Sequence, residues 1–235
     1  MSIKVEYVSK IYGDQKALDS ISFETGKQRI VGFLGPNGAG KSTTMKILAG
    51  LLPPTTGSCY IHDVSVQHDP LKAKKTIGFL PENNPLYLDM YVREILSFGA
   101  NTHRIKNKSR HIDDVIIQTG LLTEQHKKLH QLSKGYRQRV GLAMCILHDP
   151  AVLILNEPTT GLDPNQILEI RALIKMLGKE KTVLLSTHIM QEVEAICDEV
   201  IILNQGKIQD HFSLDDMSQR YPKLSLEEIF VRLTK

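Results

Sequence analysis

Apolar residues along the chain fall into short continuous runs, separated by longer stretches in which apolar and polar positions recur with a helical period. A short apolar run bounded by turn-forming residues is typical of a strand buried on both faces. Such runs occupy residues 29–34, 77–80, 151–155 and 182–185, and helices are predicted over 42–52, 133–148, 165–177 and 190–197. Because strands alternate with helices, the pattern predicts an α/β fold built on a mostly parallel sheet flanked by helices.

The two ends of the chain and its middle depart from this alternation. Residues 3–9 and 17–23 read as strands around a turn at Gly13 and Asp14, and 57–66 is strand-like, which predicts antiparallel N-terminal strands. A hairpin is predicted from 200–203 and 207–212, with a final helix near 225–233. Residues 90–131 are helical but irregular, as expected of an inserted α-helical subdomain.

These patterns predict one domain over residues 1–235, because no Gly/Ser-rich or Pro-rich linker divides the chain. We expect a core with a β-subdomain at 1–88 and 150–212, a helical subdomain at 89–149, and a C-terminal tail or helix at 213–235.

Composition and charge narrow the class of protein. The chain is 41% hydrophobic and 23% charged, which is ordinary for a globular protein. A net charge of +3 is too mild to indicate a nucleic-acid partner, although it suits work beside an anionic membrane surface. Cys59, Cys145 and Cys197 form no C-x-x-C pair, which favours a reducing compartment. No signal peptide is recognised, and no apolar run approaches the roughly 20 residues of a spanning helix.

The sequence GPNGAGKST directly follows the strand predicted at 29–34 and fits the phosphate-loop pattern G-x-x-x-x-G-K-[ST]. Its residues are Gly35, Pro36, Asn37, Gly38, Ala39, Gly40, Lys41, Ser42 and Thr43. Glycines let backbone N–H groups approach phosphate oxygens, Lys41 supplies a positive charge, and the Ser42 hydroxyl can bind Mg²⁺. Strand, loop and helix occur in the required order, so a phosphate-loop NTPase core is predicted rather than an accidental glycine-rich turn.

Polar residues follow the other buried runs where each strand is expected to end. Glu82 follows the run at 77–80, Asn156 and Glu157 follow 151–155, and His188 follows 182–185. Since ligands of open α/β sheets bind outside the carboxyl ends of the strands, these residues are expected to face one crevice. Glu157 can orient or deprotonate an attacking water, and His188 can contact a γ-phosphate. The alternative is that each polar residue only caps the next element.

Two further positions have a structural and a functional interpretation. Tyr12 is either a half-buried aromatic residue or a flat face on which adenine stacks. Ser133 and Gly135 open the helix predicted at 133–148, and this helix start is either a simple cap or a second anion site.

Taken together, the motifs resemble those of ABC-transporter ATPase subunits over essentially the whole chain. GPNGAGKST resembles the Walker A motif, LSKGYRQRVGLA the family signature, LILNEPTTGLDP the Walker B motif and D-loop, and STH the switch histidine. The signature and a terminal SLEEIF are similar to ABC-2 type exporters. Within these, SKIYGDQKALD and NPLYLDMYV resemble the ATP-binding subunit of gliding-motility-associated exporters.

The resemblance implies ATP and Mg²⁺ as cofactors, with Tyr12 at the adenine-stacking position and Glu82 at the Q-loop position. It also implies a dimer, a homodimer by expectation, in which Ser133 and Gly135 of one subunit close over ATP on the other. Asp163 belongs to the D-loop and joins the nucleotide-binding residues. A transmembrane permease subunit is expected to dock near Glu82, which places the chain peripherally on the cytoplasmic face of the cell membrane.

The chain departs from the family pattern at several positions. Lys134 and Tyr136 stand where the signature usually has Gly and Gln, and Glu82 stands for a Gln. Asn156 replaces the Walker B Asp and has no charge for Mg²⁺, which predicts weaker metal binding and slower hydrolysis. Two alternatives to a transport ATPase therefore stay open: a nucleotide-gated binding module with weak hydrolysis, and an ABC-type ATPase acting on nucleic acid or ribosomes, which the mild charge disfavours.

Overall fold

Residues 1–235, all of which the computed structural model describes, are folded around two β-sheets. The strands are β1 (Ile3–Tyr12), β2 (Gln15–Thr25), β3 (Ile30–Leu34), β4 (Thr56–Ile61), β5 (Val64–Ser65), β6 (Ile77–Leu80), β7 (Val152–Asn156), β8 (Thr182–Thr187), β9 (Glu199–Asn204) and β10 (Lys207–Ser213). The α-helices are α1 (Lys41–Leu48), α2 (Pro70–Lys75), α3 (Val92–Thr102), α4 (Lys108–Gln118), α5 (Lys134–Ile146), α6 (Pro164–Gly178), α7 (Met190–Ile196), α8 (Met217–Arg220) and α9 (Leu226–Thr234).

The larger sheet has the strand order β10-β9-β3-β8-β7-β6. All neighbouring pairs from β9 to β6 are parallel, and only β10 is antiparallel, at one edge. Every residue of β3, β7 and β8 is buried, which explains why these strands appear in the sequence as continuous apolar runs. The predicted α/β class with a mostly parallel sheet is confirmed.

The register of this sheet aligns the strand ends that carry the candidate residues. Leu80 lies opposite Leu155, Leu155 lies opposite Leu185, and Leu34 lies opposite Thr187. The carboxyl ends of β6, β7, β8 and β3 therefore form one rim.

The smaller sheet is antiparallel, with the order β2-β1-β4-β5. Its apolar face joins one side of the larger sheet and α1 in a shared core, in which the rings of Phe23 and Phe33 lie 5.6 Å apart. The strand predicted at 57–66 is two strands, because His62 and Asp63 adopt left-handed backbone conformations that turn the chain between β4 and β5.

A helical region formed by α3, α4 and α5 packs on the β6 side of the larger sheet. Gly78 permits the contact, since a Cβ there would lie 2.3 Å from the Cys145 carbonyl oxygen of α5. Helix α5 ends at Ile146, two residues before its predicted end. Helix α2 is absent from the helices predicted from the sequence, although Asp69 caps it and Pro70 opens it. No helix combines the length and apolarity needed to cross a bilayer.

Candidate functional site

A cavity of about 520 Å³ opens at the rim formed by the carboxyl ends of the parallel strands. The residues that line it are Tyr12, Gln15, Ala17, Asn37, Gly38, Gly40, Lys41, Ser42, Thr43, Glu82, Glu157, Thr160 and His188. The cavity thus brings together the glycine-rich loop, the residues after β6, β7 and β8, and the turn between β1 and β2. Four predicted site residues do not line the cavity but lie next to residues that do: Gly35, Pro36, Ala39 and Asn156.

The glycine-rich loop leaves the buried strand β3 and is held close to the sheet. A Cβ on Gly35 would lie 2.4 Å from the Leu203 carbonyl oxygen, and the Gly206 N–H donates to the Ala39 carbonyl at 2.9 Å. Gly38 and Gly40 have φ values of 80° and 109°, which L-residues rarely adopt. Gly40 caps α1, so the first turn of that helix faces the cavity with its unpaired N–H groups.

Lys41 is only 6% exposed and lies inside the loop. Its Nζ donates to the carbonyl oxygens of Gly35 at 2.7 Å and Pro36 at 3.2 Å, and lies 3.9 Å from Oε1 of Glu157. Burial lowers the pKa of Lys41, and the negative charges of Glu157 and Glu82 oppose that shift. The site therefore holds a desolvated cation that has been placed before any ligand arrives.

Glu157 follows β7 with a left-handed backbone conformation, φ 51°, and is 8% exposed. Its backbone N–H donates to the Ser186 carbonyl of β8 at 3.1 Å, which fixes the turn. The Oε2 atom accepts hydrogen bonds from Nδ1 of His188 at 2.9 Å and from Oγ1 of Thr160 at 3.2 Å. Because a carboxylate only accepts, Nδ1 of His188 carries the hydrogen, which leaves Nε2 as the second nitrogen of a half-exposed ring at the cavity.

Asn156, the last residue of β7, is buried between two serines. Its Oδ1 accepts from Oγ of Ser186 at 2.5 Å, and its Nδ2 donates to Oγ of Ser42 at 3.2 Å. Ser42 and Glu82 both line the cavity, and the Asn156 amide lies directly behind the Ser42 hydroxyl. All three supply oxygen ligands of the kind that Mg²⁺ takes.

Three predicted nucleotide-binding residues outside the phosphate loop, Ser133, Gly135 and Asp163, also lie away from this cavity. Ser133 and Asp163 are exposed caps of α5 and α6, accepting the N–H groups of Tyr136 at 3.3 Å and Gln166 at 3.0 Å. Gly135 is packed against Gln166, so the starts of α5 and α6 adjoin. Within one chain these residues act as helix caps, and they contact nothing that the cavity would hold.

Sequence reasoning missed Gln15, Ala17 and Thr160 as cavity residues, and Ser186 as the partner of Asn156. Thr160 had a signal, since a residue three positions after Glu157 in a turn can reach back to it. Ser186 had none, because its contact depends on the pairing of β7 with β8.

The site and fold were then compared with known proteins. A family model described as "ABC transporter" matches residues 18–160, more than half of the chain. The chain belongs to the ABC transporter family. The bacitracin transport ATP-binding protein BcrA of Bacillus licheniformis is 38% identical over 223 residues, covering 94% of this chain and 72% of that protein. The linearmycin resistance ATP-binding protein LnrL of Bacillus subtilis is 32% identical over 209 residues, covering 88% and 67%.

Solved structures agree with this assignment. An ATP-binding subunit of an ABC transporter superposes with a TM-score of 0.90 at 29% identity over 100% of both chains. The ATP-binding cassette MJ0796, solved as a post-hydrolysis dimer bound to ADP and Pi, gives 0.82 at 25% identity over 90% of this chain and 98% of that one. This ABC cassette is accordingly an ATPase that binds ATP, as the resemblance predicts.

Two of the three loop glycines, Gly38 and Gly40, make a matched pair for testing the loop. A Cβ on Gly40 would lie 2.7 Å from the Ala17 carbonyl oxygen, whereas a Cβ on Gly38 meets nothing within 4 Å. We expect Gly40→Ala to lower ATP affinity at least about tenfold, since the loop must shift, and Gly38→Ala to lower it less, because it adds only the roughly 1–2 kcal/mol of a positive φ. Titration with a fluorescent ATP analogue measures both, and equal losses would contradict the steric argument.

Proposed function

We propose that this cassette is the ATP-hydrolysing subunit of an ABC-2 type exporter, which couples ATP-driven dimerisation to movement of a substrate by a separate membrane subunit. The observation that carries the proposal is the meeting of Lys41, Glu82, Glu157 and His188 in one cavity. The relatives named for bacitracin transport and linearmycin resistance favour an antimicrobial compound as cargo. The narrower likeness to gliding-motility exporters stays a prediction.

The nucleotide would lie along the loop with its phosphates at the start of α1. Backbone N–H groups of residues 37–43 and the buried Lys41 supply the positive potential, and the anion further favours the charged form of Lys41, whose pKa burial lowers. Tyr12 also lines the cavity and is 46% exposed, which leaves ring surface on which adenine can stack.

Glu157 and His188 would act on the attacking water. The carboxylate is buried, hydrogen-bonded and set beside the loop, so it can accept or orient the proton of a water aligned with the γ-phosphate. Its contact with Nδ1 of His188 fixes the ring, and Nε2, when it also carries a hydrogen, can donate to a γ-phosphate oxygen. In this arrangement the protein contributes positioning and charge, which are the main needs of phosphoryl transfer.

Mg²⁺ fits the oxygen donors of Ser42, Asn156 and Glu82, which would hold it directly or through water. The bound ion would neutralise phosphate charge. Asn156 lacks the negative charge of a carboxylate, so weaker metal binding and slower turnover are expected. This substitution favours the second candidate function, a nucleotide-gated module whose dimer closure is the output and whose hydrolysis is feeble.

A second copy of the chain would complete the site. Ser133 and Asp163 are exposed at the adjoining starts of α5 and α6, and the Tyr136 N–H in the first turn of α5 bonds only to the Ser133 cap. A helix N-terminus facing outward is suited to the γ-phosphate of ATP on a partner. The division into a core at 1–88 and 150–212 and a signature-bearing helical subdomain at 89–149 is part of this proposal.

The membrane subunit would dock in an apolar groove of about 490 Å³ between the core and the helical region, directly after β6. Most of its lining is apolar, and Leu51, Tyr87 and Phe98 expose half or more of their surfaces there. Exposed apolar side chains gathered in one groove mark an interaction site. The cassette would therefore lie peripherally on the cytoplasmic face of the cell membrane.

Turnover separates the two candidate functions. If the cassette is an energy-coupling ATPase, Glu157→Gln should lower steady-state ATP hydrolysis at least about 100-fold and leave ATP binding intact, because only the group acting on water is lost. Lys41→Ala should abolish binding as well. Hydrolysis that is negligible in the unchanged protein, with dimerisation still driven by ATP, would support the gated module. Salt-sensitive RNA binding would instead favour an ATPase acting on nucleic acid.

Restoring a carboxylate at Asn156 tests the metal argument. Asn156→Asp should raise turnover several-fold and lower the Mg²⁺ concentration for half-maximal rate. One carboxylate oxygen can keep accepting from Ser186, and the second replaces the Nδ2 group that donates to Ser42 with a negatively charged oxygen. The measurement is the steady-state ATPase rate as a function of Mg²⁺ concentration. The Asn156→Asp, Glu157→Gln double variant should stay inactive, and an unchanged rate at saturating Mg²⁺ in the single variant would refute the idea.

The groove predicts a membrane partner. Phe98→Ser should abolish copurification of the cassette with a transmembrane protein while its own ATPase rate stays within about twofold, since Phe98 lines the groove but not the cavity. Ile117→Ser is the matched control, because Ile117 is an apolar α4 residue, 65% exposed, outside the groove. Equal loss in both variants would argue against this groove.

A further inference from the structure

Glu192, in the first turn of α7, is a carboxylate with only 1% of its surface exposed. It does not line the cavity, so contact with a nucleotide does not account for its burial. A charged side chain in the interior is costly unless hydrogen bonds or an opposite charge compensate it.

Three side chains from three other elements provide this compensation. Oγ1 of Thr159 donates to Oε1 of Glu192, and Oγ1 of Thr187 donates to Oε2 at 2.5 Å. The guanidinium of Arg171, on α6, lies 3.8 Å from Oε1 and supplies the opposite charge. Both threonines are buried, so neither hydroxyl can exchange this partner for bulk water.

The two threonines lie on the two segments that carry the proposed catalytic pair. Thr159 is two residues after Glu157, in the turn that follows β7. Thr187 ends β8 and directly precedes His188, and its Oγ1 also accepts the N–H of Ile189 at 3.1 Å. A single carboxylate therefore ties the segment of Glu157 to the segment of His188.

We propose that Glu192 is a positioning residue for ATP hydrolysis. Its two oxygens hold the turn after β7 and the end of β8 at a fixed separation, which keeps Oε2 of Glu157 and Nδ1 of His188 at 2.9 Å. Hydrogen bonds to an ionised acceptor are stronger and more directional than those between neutral groups. Such a link matters because a displacement of about 1 Å in a catalytic group can lower a rate roughly 100-fold.

The inference rests on the proposed roles of Glu157 and His188, and Thr187 gives the sharpest test. Thr187→Val keeps the shape of the side chain and removes the hydroxyl, so we expect kcat to fall at least about tenfold while KM for ATP changes less than about twofold. Thr187→Ser restores a hydroxyl and should recover most of the lost rate. Thr119→Val removes a buried hydroxyl that bonds only to the Val115 carbonyl on α4, and controls for a general loss of packing.

Glu192 itself is tested in the same assay. Glu192→Ala should reproduce the fall in kcat, and Glu192→Gln, which keeps the size and one acceptor oxygen, should fall less. If the Ala variant fails to fold, the Thr187 pair decides the question alone. Thermal unfolding of every variant shows whether a lower rate is caused by lost stability. In that case KM for ATP and the rate of the Thr119→Val variant would change as well, and the inference would be wrong.

A double-mutant cycle shows whether the link acts through His188. In a His188→Ala background, Thr187→Val should lower the residual rate by less than about twofold, because the contact it protects is already gone. Independent effects that multiply would overturn the proposal. If Glu157→Gln abolishes turnover while Thr187→Val leaves kcat unchanged, only the role of Glu192 fails. If Glu157→Gln leaves turnover unchanged, the proposed function itself is wrong.

Discussion

The parallel register of the larger sheet is the constraint on which the rest of the structure depends. Backbone hydrogen bonding sets Leu80, Leu155 and Leu185 in one row across β6, β7 and β8, and β3 joins the same ladder through Leu34. These strands are buried and apolar, so polar side chains can appear only where they end. The sheet therefore gathers at one rim residues that are separated by up to about 150 positions in the chain.

The same rim brings together buried charged groups, which are costly in a protein interior unless they are compensated. Lys41 and Glu157 are both buried and their charged atoms are 3.9 Å apart, too far for a hydrogen bond, while Lys41 relies on backbone carbonyls of its own loop. The arrangement is that of a site preorganised for a highly charged ligand. The loop, the start of α1 and the Lys41 cation are already in position, and the ligand would supply the negative charge that compensates Lys41.

Much of this could be predicted from the sequence, because its strongest signals are local. The continuous apolar runs identified β3, β6, β7 and β8, and the loop pattern fixed the start of α1 to within one residue. The gathering of Glu82, Glu157 and His188 followed from a general property of parallel sheets rather than from any one residue. Family membership and ATPase activity, which the motifs predicted, are confirmed by comparison.

The side-chain contacts between neighbouring strands could not be predicted from the sequence. Ser186 holds Asn156, and Thr187 meets Glu192, only because β7, β8 and α7 pack in one particular register. A serine at a strand end or a glutamate in a helix forms no recognisable sequence motif. Secondary-structure propensities do not indicate which buried hydroxyl will lie beside which acceptor. Helix α2 was missed for the opposite reason: its Asp69 and Pro70 signal was present but brief.

The close approach at Gly78 has a mechanical consequence for the helical region. The backbone of β6 touches α5 near Cys145, at the far end of the helix from Ser133. Cys145 lies twelve residues after Ser133, which corresponds to about 18 Å along the helix axis. A tilt of α5 by about 10° about this contact would displace its Ser133 end by roughly 3 Å and would strain the hydrogen bond from Asn84 to the Arg137 carbonyl. The close contact at Gly78 thus leaves the start of α5 as the part of the helix that a small tilt displaces most.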